Sequence, residues 1–224
     1  MPQDNLTEIV CIIDRSGSMQ SIREDAQGGF DSFIEEQQKE EGKATVTLAQ
    51  FDNEYEMVWS NRPLETIKKG EYLLMPRGQT ALLDAVGKTV GLVGERLSKT
   101  DEAERPGKVL VMIITDGMEN HSKEYNRKQI MEMINHQRDK YNWDFLFLAA
   151  NQDAIGEARG IGIKGAHAMN FAATGQGVKS AYAGMSRGVS KYRRTGHTEL
   201  PDHAEDDDKK PEGKKKAGFR PRSS

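Results

Sequence analysis

The chain has a single cysteine, Cys11, among 224 residues. That excludes an intrachain disulfide and a zinc site of the four-thiolate kind. No apolar run approaches the ~18 residues of a membrane-spanning helix, and mean hydropathy is −0.74. An excess of one charge is also missing. Charged residues make up 30%, yet the net charge is only −3, so no general field for nucleic acid or an anionic membrane is expected. Met1 to Thr7 is polar, with no basic stretch ahead of an apolar one, and reads as lacking a secretion signal. There is no His-Glu-x-x-His pattern to support a zinc protease. Gly28-Gly29 and the later glycines lack the spacing of a phosphate-binding loop. These absences point to a soluble, cytoplasmic protein, and the length is enough for one domain with a full core or for two small ones.

The character of the chain changes near residue 196. From Gly196 to Ser224 little is apolar beyond Leu200 and Phe219, and an acidic run, Glu205 to Asp208, is followed by clustered lysines and interrupted by prolines. Such a segment buries too little surface to offset its ordering entropy. The organisation expected is one domain over 1–195 and a disordered, charged tail over 196–224.

Before the tail, strands and helices alternate. Ile9 to Ile13, Val109 to Ile114 and Phe145 to Ala150 are continuous apolar runs, the mark of strands buried on both faces. Thr45 to Phe51 is rich in β-branched residues. Asp52-Asn53 then signals a turn into an alternating segment at Tyr55, Met57 and Trp59, which reads as a short antiparallel edge strand. A last strand falls near Ala166 to Phe171. Helical stripes appear at Ile22 to Ile34, Leu83 to Leu97, Ile130 to Tyr141 and Val178 to Tyr192, with a short helix at Ala154 to Ala158. The pattern predicts an α/β fold: a doubly wound, mostly parallel six-stranded sheet with one antiparallel edge strand and helices on both faces. In such folds ligands bind beyond the carboxyl ends of the strands.

Asp14-Arg15-Ser16-Gly17-Ser18 follows the first strand. Thr115-Asp116-Gly117 follows the fourth, and Gly78-Gln79-Thr80 leads into a helix from the same edge. The three loops bring together only oxygen: carboxylates of Asp14 and Asp116, hydroxyls of Ser16, Ser18 and Thr80. That set suits a hard divalent cation, Mg²⁺ or Mn²⁺. Gly17 would free the turn between the serines, and Ser18 could also cap the following helix.

These positions resemble the metal-ion-dependent adhesion site of a von Willebrand factor A domain. The order, the strand positions and the antiparallel third strand match too, over roughly residues 6 to 193. The resemblance implies that the two serines and the threonine meet the metal directly or through water. It implies that the aspartates often act through bound waters, and that an Asp or Glu of a protein partner fills the sixth position. Trp143 to Ala154 is similar to small, stand-alone A domains of bacteria and phages.

Two functional classes compete. One is a metal-dependent protein-interaction module with no catalytic residue. The other is a Mg²⁺-dependent hydrolase or phosphotransferase on a related sheet. Against the second, Ser16 stands where an aspartyl-phosphate enzyme has its second carboxylate, and no histidine is placed to activate Ser16 or Ser18. Other residues keep bland readings. Cys11 and the methionines are core, His121 belongs to a solvated loop, and His136 lies on a polar helical face. Asp52 either supports the site or opens the hairpin turn. Asn151 and Asp153 either line the rim or cap a helix. Arg15, Gln79, Met118 and Asn151 are the expected rim.

Overall fold

The computed structural model describes residues 1–150, 153–198 and 200. Its strands are β1 (Gln3–Asp14), β2 (Lys43–Phe51), β3 (Tyr55–Pro63), β4 (Pro106–Thr115), β5 (Asp144–Ala150) and β6 (Ala168–Phe171). Its helices are α1 (Arg23–Gln37), α2 (Leu82–Lys99), α3 (Arg127–Tyr141), α4 (Ala154–Gly160) and α5 (Gly175–Thr195). The six strands form one sheet in the order β3-β2-β1-β4-β5-β6. Only β3 runs antiparallel, against β2. This is the doubly wound arrangement the alternation of elements predicts.

The apolar runs are continuous because each strand feeds two cores. Ile9, Cys11 and Ile13 of β1 face α1 and α5, where they join Phe30, Phe33, Met185 and Val189. Val10 and Ile12 point the other way, toward Val86 and Val90 of α2 and Ile130 and Ile134 of α3. β4 and β5 divide their side chains in the same alternating manner. Each fully buried Leu, Ile, Val or Phe contributes about 1.5–3 kcal/mol, so the central strands anchor everything at their ends.

The α1–α5 contact is tight at one point. A Cβ on Gly29 would lie 2.4 Å from a ring carbon of Tyr182, whereas one on the neighbouring Gly28 would meet nothing within 4 Å. Adjacent glycines are therefore expected to respond with opposite sign. Gly29→Ala should destabilise by about 1–3 kcal/mol through overpacking. Gly28→Ala should stabilise by up to ~1 kcal/mol through helix propensity. Thermal melts of the two variants check this, and a shared sign would refute it.

The composition break at 196 marks the end of α5 rather than the end of packing. Gly196 closes α5 in the left-handed conformation (φ 76°). Beyond it, the Thr198 hydroxyl donates to the Gly188 carbonyl at 2.9 Å, and Leu200 is buried with its N–H on the Ala166 carbonyl. A single leucine joins the chain here to the core shared by α1 and α5. Glu199 and 201–224, with the acidic run and the lysine clusters, lie outside the described residues.

β1 and β4 lie side by side and in parallel, with Ile13 opposite Ile114. The chain leaves β1 toward α1 on one face, and leaves β4 toward α3 on the other. Their loops therefore diverge and open a crevice at the carboxyl edge.

Candidate metal centre

Asp14, the last residue of β1, is fully buried. Its two oxygens are fixed separately. Oδ1 accepts the Ser16 N–H at 2.6 Å, and Oδ2 accepts the Thr115 hydroxyl at 2.6 Å. Thr115 ends β4 on the same face, so strand pairing alone brings the two together. Its oxygen also accepts the Gly117 N–H at 3.1 Å, tying the second loop to the first. The hydroxyls of Ser16 and Ser18 are 3.0 Å apart, and Ser18 donates to Asp116 Oδ1 at 2.6 Å.

Thr80 arrives from the loop before α2 and is pinned by the β4–α3 loop. Its N–H donates to Asn120 Oδ1 at 3.0 Å, and its carbonyl accepts the N–H groups of Asn120 and His121. The same loop is bound to the start of α2, where Asp84 accepts N–H bonds from Lys123, Glu124 and Tyr125. A Cβ on Gly117 would sit 2.8 Å from Thr80 Oγ1, 3.4 Å from Ser18 Oγ and 3.5 Å from Ser16 Oγ. Three hydroxyl oxygens thus surround one point that only a glycine leaves open. All five residues picked out in the sequence, Asp14, Ser16, Ser18, Thr80 and Asp116, meet at this edge.

Among the described residues no cluster of three or more His, Cys, Asp or Glu side chains could hold a metal ion. The donor set here is of another kind, two carboxylates with three hydroxyls. Its chemistry fits a hard divalent cation rather than zinc in a thiolate or imidazole cage.

The electrostatics agree. Burial pushes the Asp14 carboxyl up to about 6, against the pull of its bonds from Thr115 and Ser16, and the charge of Asp116 adds to the rise. Burial likewise raises Asp116, with Ser18 opposing. Arg15 and Arg77, from the loops that carry the site, do not pair with either carboxylate, because both are spent on other acids. Arg15 Nε and Arg77 Nε bond to Asp52 Oδ2 at 2.9 and 2.7 Å, while their outer nitrogens pair with Glu56 and Glu54.

Asp52 turns out to hold both of its expected roles. Its Oδ1 accepts the Glu54 N–H at 2.6 Å and makes the hairpin turn, and Oδ2 takes the two arginines. Its carbonyl accepts the Ala81 N–H at 2.9 Å. One buried side chain therefore ties the β1 loop, the hairpin and the α2 entry loop.

Several local expectations differ. Arg15 is buried beneath the site, not displayed on its rim. Gln79 and Met118 are exposed there, and Asn151 lies outside the described residues. Gly17 has no positive φ. The freedom is needed at Gly78 (φ 69°), where Asn53 Oδ1 lies 2.1 Å from the place of a Cβ. Ser18 caps no helix, since its hydroxyl goes to Asp116. Asp153 does cap α4, accepting the Gly156 N–H at 2.8 Å. Cys11 is buried, as read from the sequence, and burial raises its thiol. His136 packs edge-on against Tyr141 at the far end of α3.

No family model and no curated protein matches the sequence. Solved structures do. Proximal thread matrix protein 1 of the mussel byssus, in a form with a zinc-occupied metal-ion-dependent adhesion site, aligns at TM-score 0.60 and 12% identity, over 82% of this chain and 46% of that one. A von Willebrand factor type A protein from Catenulispora acidiphila gives TM-score 0.60 and 14% identity, over 82% and 42%. The conserved hypothetical protein BatB from Bacteroides thetaiotaomicron gives 0.51 and 14%, over 84% of this chain and all of the other. The chain spans less than half the length of the first two. The fold is that of a von Willebrand factor type A domain.

Proposed function

We propose that the chain is a metal-dependent protein-binding module. On this reading Asp14, Ser16, Ser18, Thr80 and Asp116 hold Mg²⁺ or Mn²⁺, and a partner's Asp or Glu completes the coordination. The observation that carries it is the convergence of three hydroxyls at Gly117 beside two raised, uncompensated carboxylates. The zinc-occupied site of the byssus protein supports a divalent metal on this fold. A bound cation would supply a positive point for a partner's carboxylate. The chain's own residues do the rest. Asp14 and Asp116 balance charge, the neutral hydroxyls leave the cation its attraction for a further anion, and Gln79 and Met118 present the surrounding contact surface. No helix among the described residues is long and apolar enough to cross a membrane.

Metal binding to the native state raises stability by mass action, by about 2.7 kcal/mol at a hundred times Kd. At ~2–4 °C per kcal/mol for a domain of this size, millimolar Mg²⁺ or Mn²⁺ is expected to raise Tm by several degrees and chelator to reverse it. Asp116→Asn should remove the response. A wild type indifferent to both cations and to chelator would end this reading. A partner retained equally with and without chelator would place its interface elsewhere.

A further inference from the structure

A second concave site lies at the opposite edge of the sheet. β5 runs from Asp144 to Ala150, and its amino end, not its carboxyl end, borders a cavity of about 470 Å³. The walls come from the end of α3, the start of β5, the α4–β6 connection and the segment after α5. The size suits a small molecule.

Its polar lining is one-sided. Arg138, Lys164, His167 and His197 face the cavity, and Asp144 is the single acid among the lining residues. That acid is already engaged: Asp144 Oδ1 lies 2.8 Å from His167 Nδ1 and also accepts the Phe145 N–H. The contact orients the imidazole and leaves Nε2 as its remaining polar atom. Arg138 is held rigidly by three bonds, to the Gly162 carbonyl, Asn135 Oδ1 and Asp139 Oδ1. Two of the five N–H groups of a guanidinium are then unspent. The Lys164 ammonium and the His197 ring have no side-chain partner among the described residues. The floor is apolar, formed by Ile134, Phe145 and Ile163.

We infer that this cavity binds a small organic phosphate. The side chains of Arg138, Lys164 and His197 reach the cavity from three separate segments, and a phosphate monoester offers three terminal oxygens and up to two charges to meet them, where a carboxylate offers two oxygens and one charge. The apolar floor takes the organic part. The cavity shares no lining residue with the Asp14 site and needs no metal there.

The test uses the full chain in chelator, in a Trp59→Phe background so that Trp143, which lines the cavity, is the sole tryptophan and can be excited selectively over the tyrosines. Titration with phenyl phosphate is expected to give a saturable change, with inorganic phosphate weaker and benzoate weaker still. Lys164→Glu, at an exposed and unpaired position, should lower phenyl phosphate affinity by roughly tenfold or more, while Asp14→Asn should leave it unchanged. The proposal is overturned by the lack of a saturable change in the parent, or by equal affinity in Lys164→Glu. It is overturned equally if phenyl phosphate binds only after truncation beyond Leu200, which would make the chain's own Glu205–Asp208 run the occupant.

Discussion

Replacing Asp52 with Ala is expected to cost about 3–5 kcal/mol, although Asp52 is none of the proposed metal ligands. The side chain is fully buried and Arg15 beside it nearly so. Removing the acid leaves the Arg15 guanidinium in a dry site with only Glu56, whose side chain is about half exposed at 53%, as a counter-charge. A cation stranded in this way is far more costly than a lost surface pair. The hairpin also loses the bond from Glu54, and the loop before Thr80 loses its link through Arg77. The variant should therefore show two defects at once, a lower urea midpoint and a weakened response to Mg²⁺. Arg77→Ala provides the contrast. Its side chain is 56% exposed, so it should cost ~1 kcal/mol or less. A loss below ~1 kcal/mol for Asp52→Ala would show that water or a rearranged Glu56 replaces the pair, and that the three loops are held by backbone bonds alone.

That network also shows where sequence reading stops. Ile9–Ile13, Val109–Ile114 and Phe145–Ala150 are legible as central strands because a strand buried on both faces needs no polar alternation. Asp14, Ser16, Ser18, Thr80 and Asp116 can be grouped from the sequence alone, because each stands beside a strand end or a helix start at one predictable edge. Arg15, Asp52 and Arg77 cannot be paired that way. Their contacts span 37 and 25 positions, and an arginine next to a site motif has the same composition signal whether it points out or in. Thr115 is visible as part of Thr-Asp-Gly, yet its hold on Asp14 depends on the register of β1 against β4, which periodicity does not set. Leu200 is masked by its polar neighbours, since a single apolar residue in a charged stretch carries no period at all.

The sharpest test of Asp14 reverses the usual direction of a mutation. In the metal-free protein, Asp14→Asn is expected to raise stability at pH 7. The carboxyl is raised to about 6 in the fold, against ~3.9 in an unfolded chain. A carboxyl displaced upward binds its proton more tightly in the native state. Its contribution is fully present below the unfolded value and is lost as pH rises through the folded one. At about 1.4 kcal/mol per pH unit, the window between pH ~4 and ~6 is worth roughly 3 kcal/mol. Asparagine is neutral throughout and can still accept the Ser16 N–H, while its amide can donate to the Thr115 oxygen. Urea unfolding in chelator should show the variant ahead by up to ~3 kcal/mol at pH 7 and level with wild type near pH 4. Saturating Mg²⁺ should then stabilise the wild type alone and close the gap, because the cation compensates a charge that asparagine lacks. A variant less stable than wild type at pH 7 in chelator would mean that the fold already neutralises Asp14 without a metal, and the strongest electrostatic reason for placing one there would be gone.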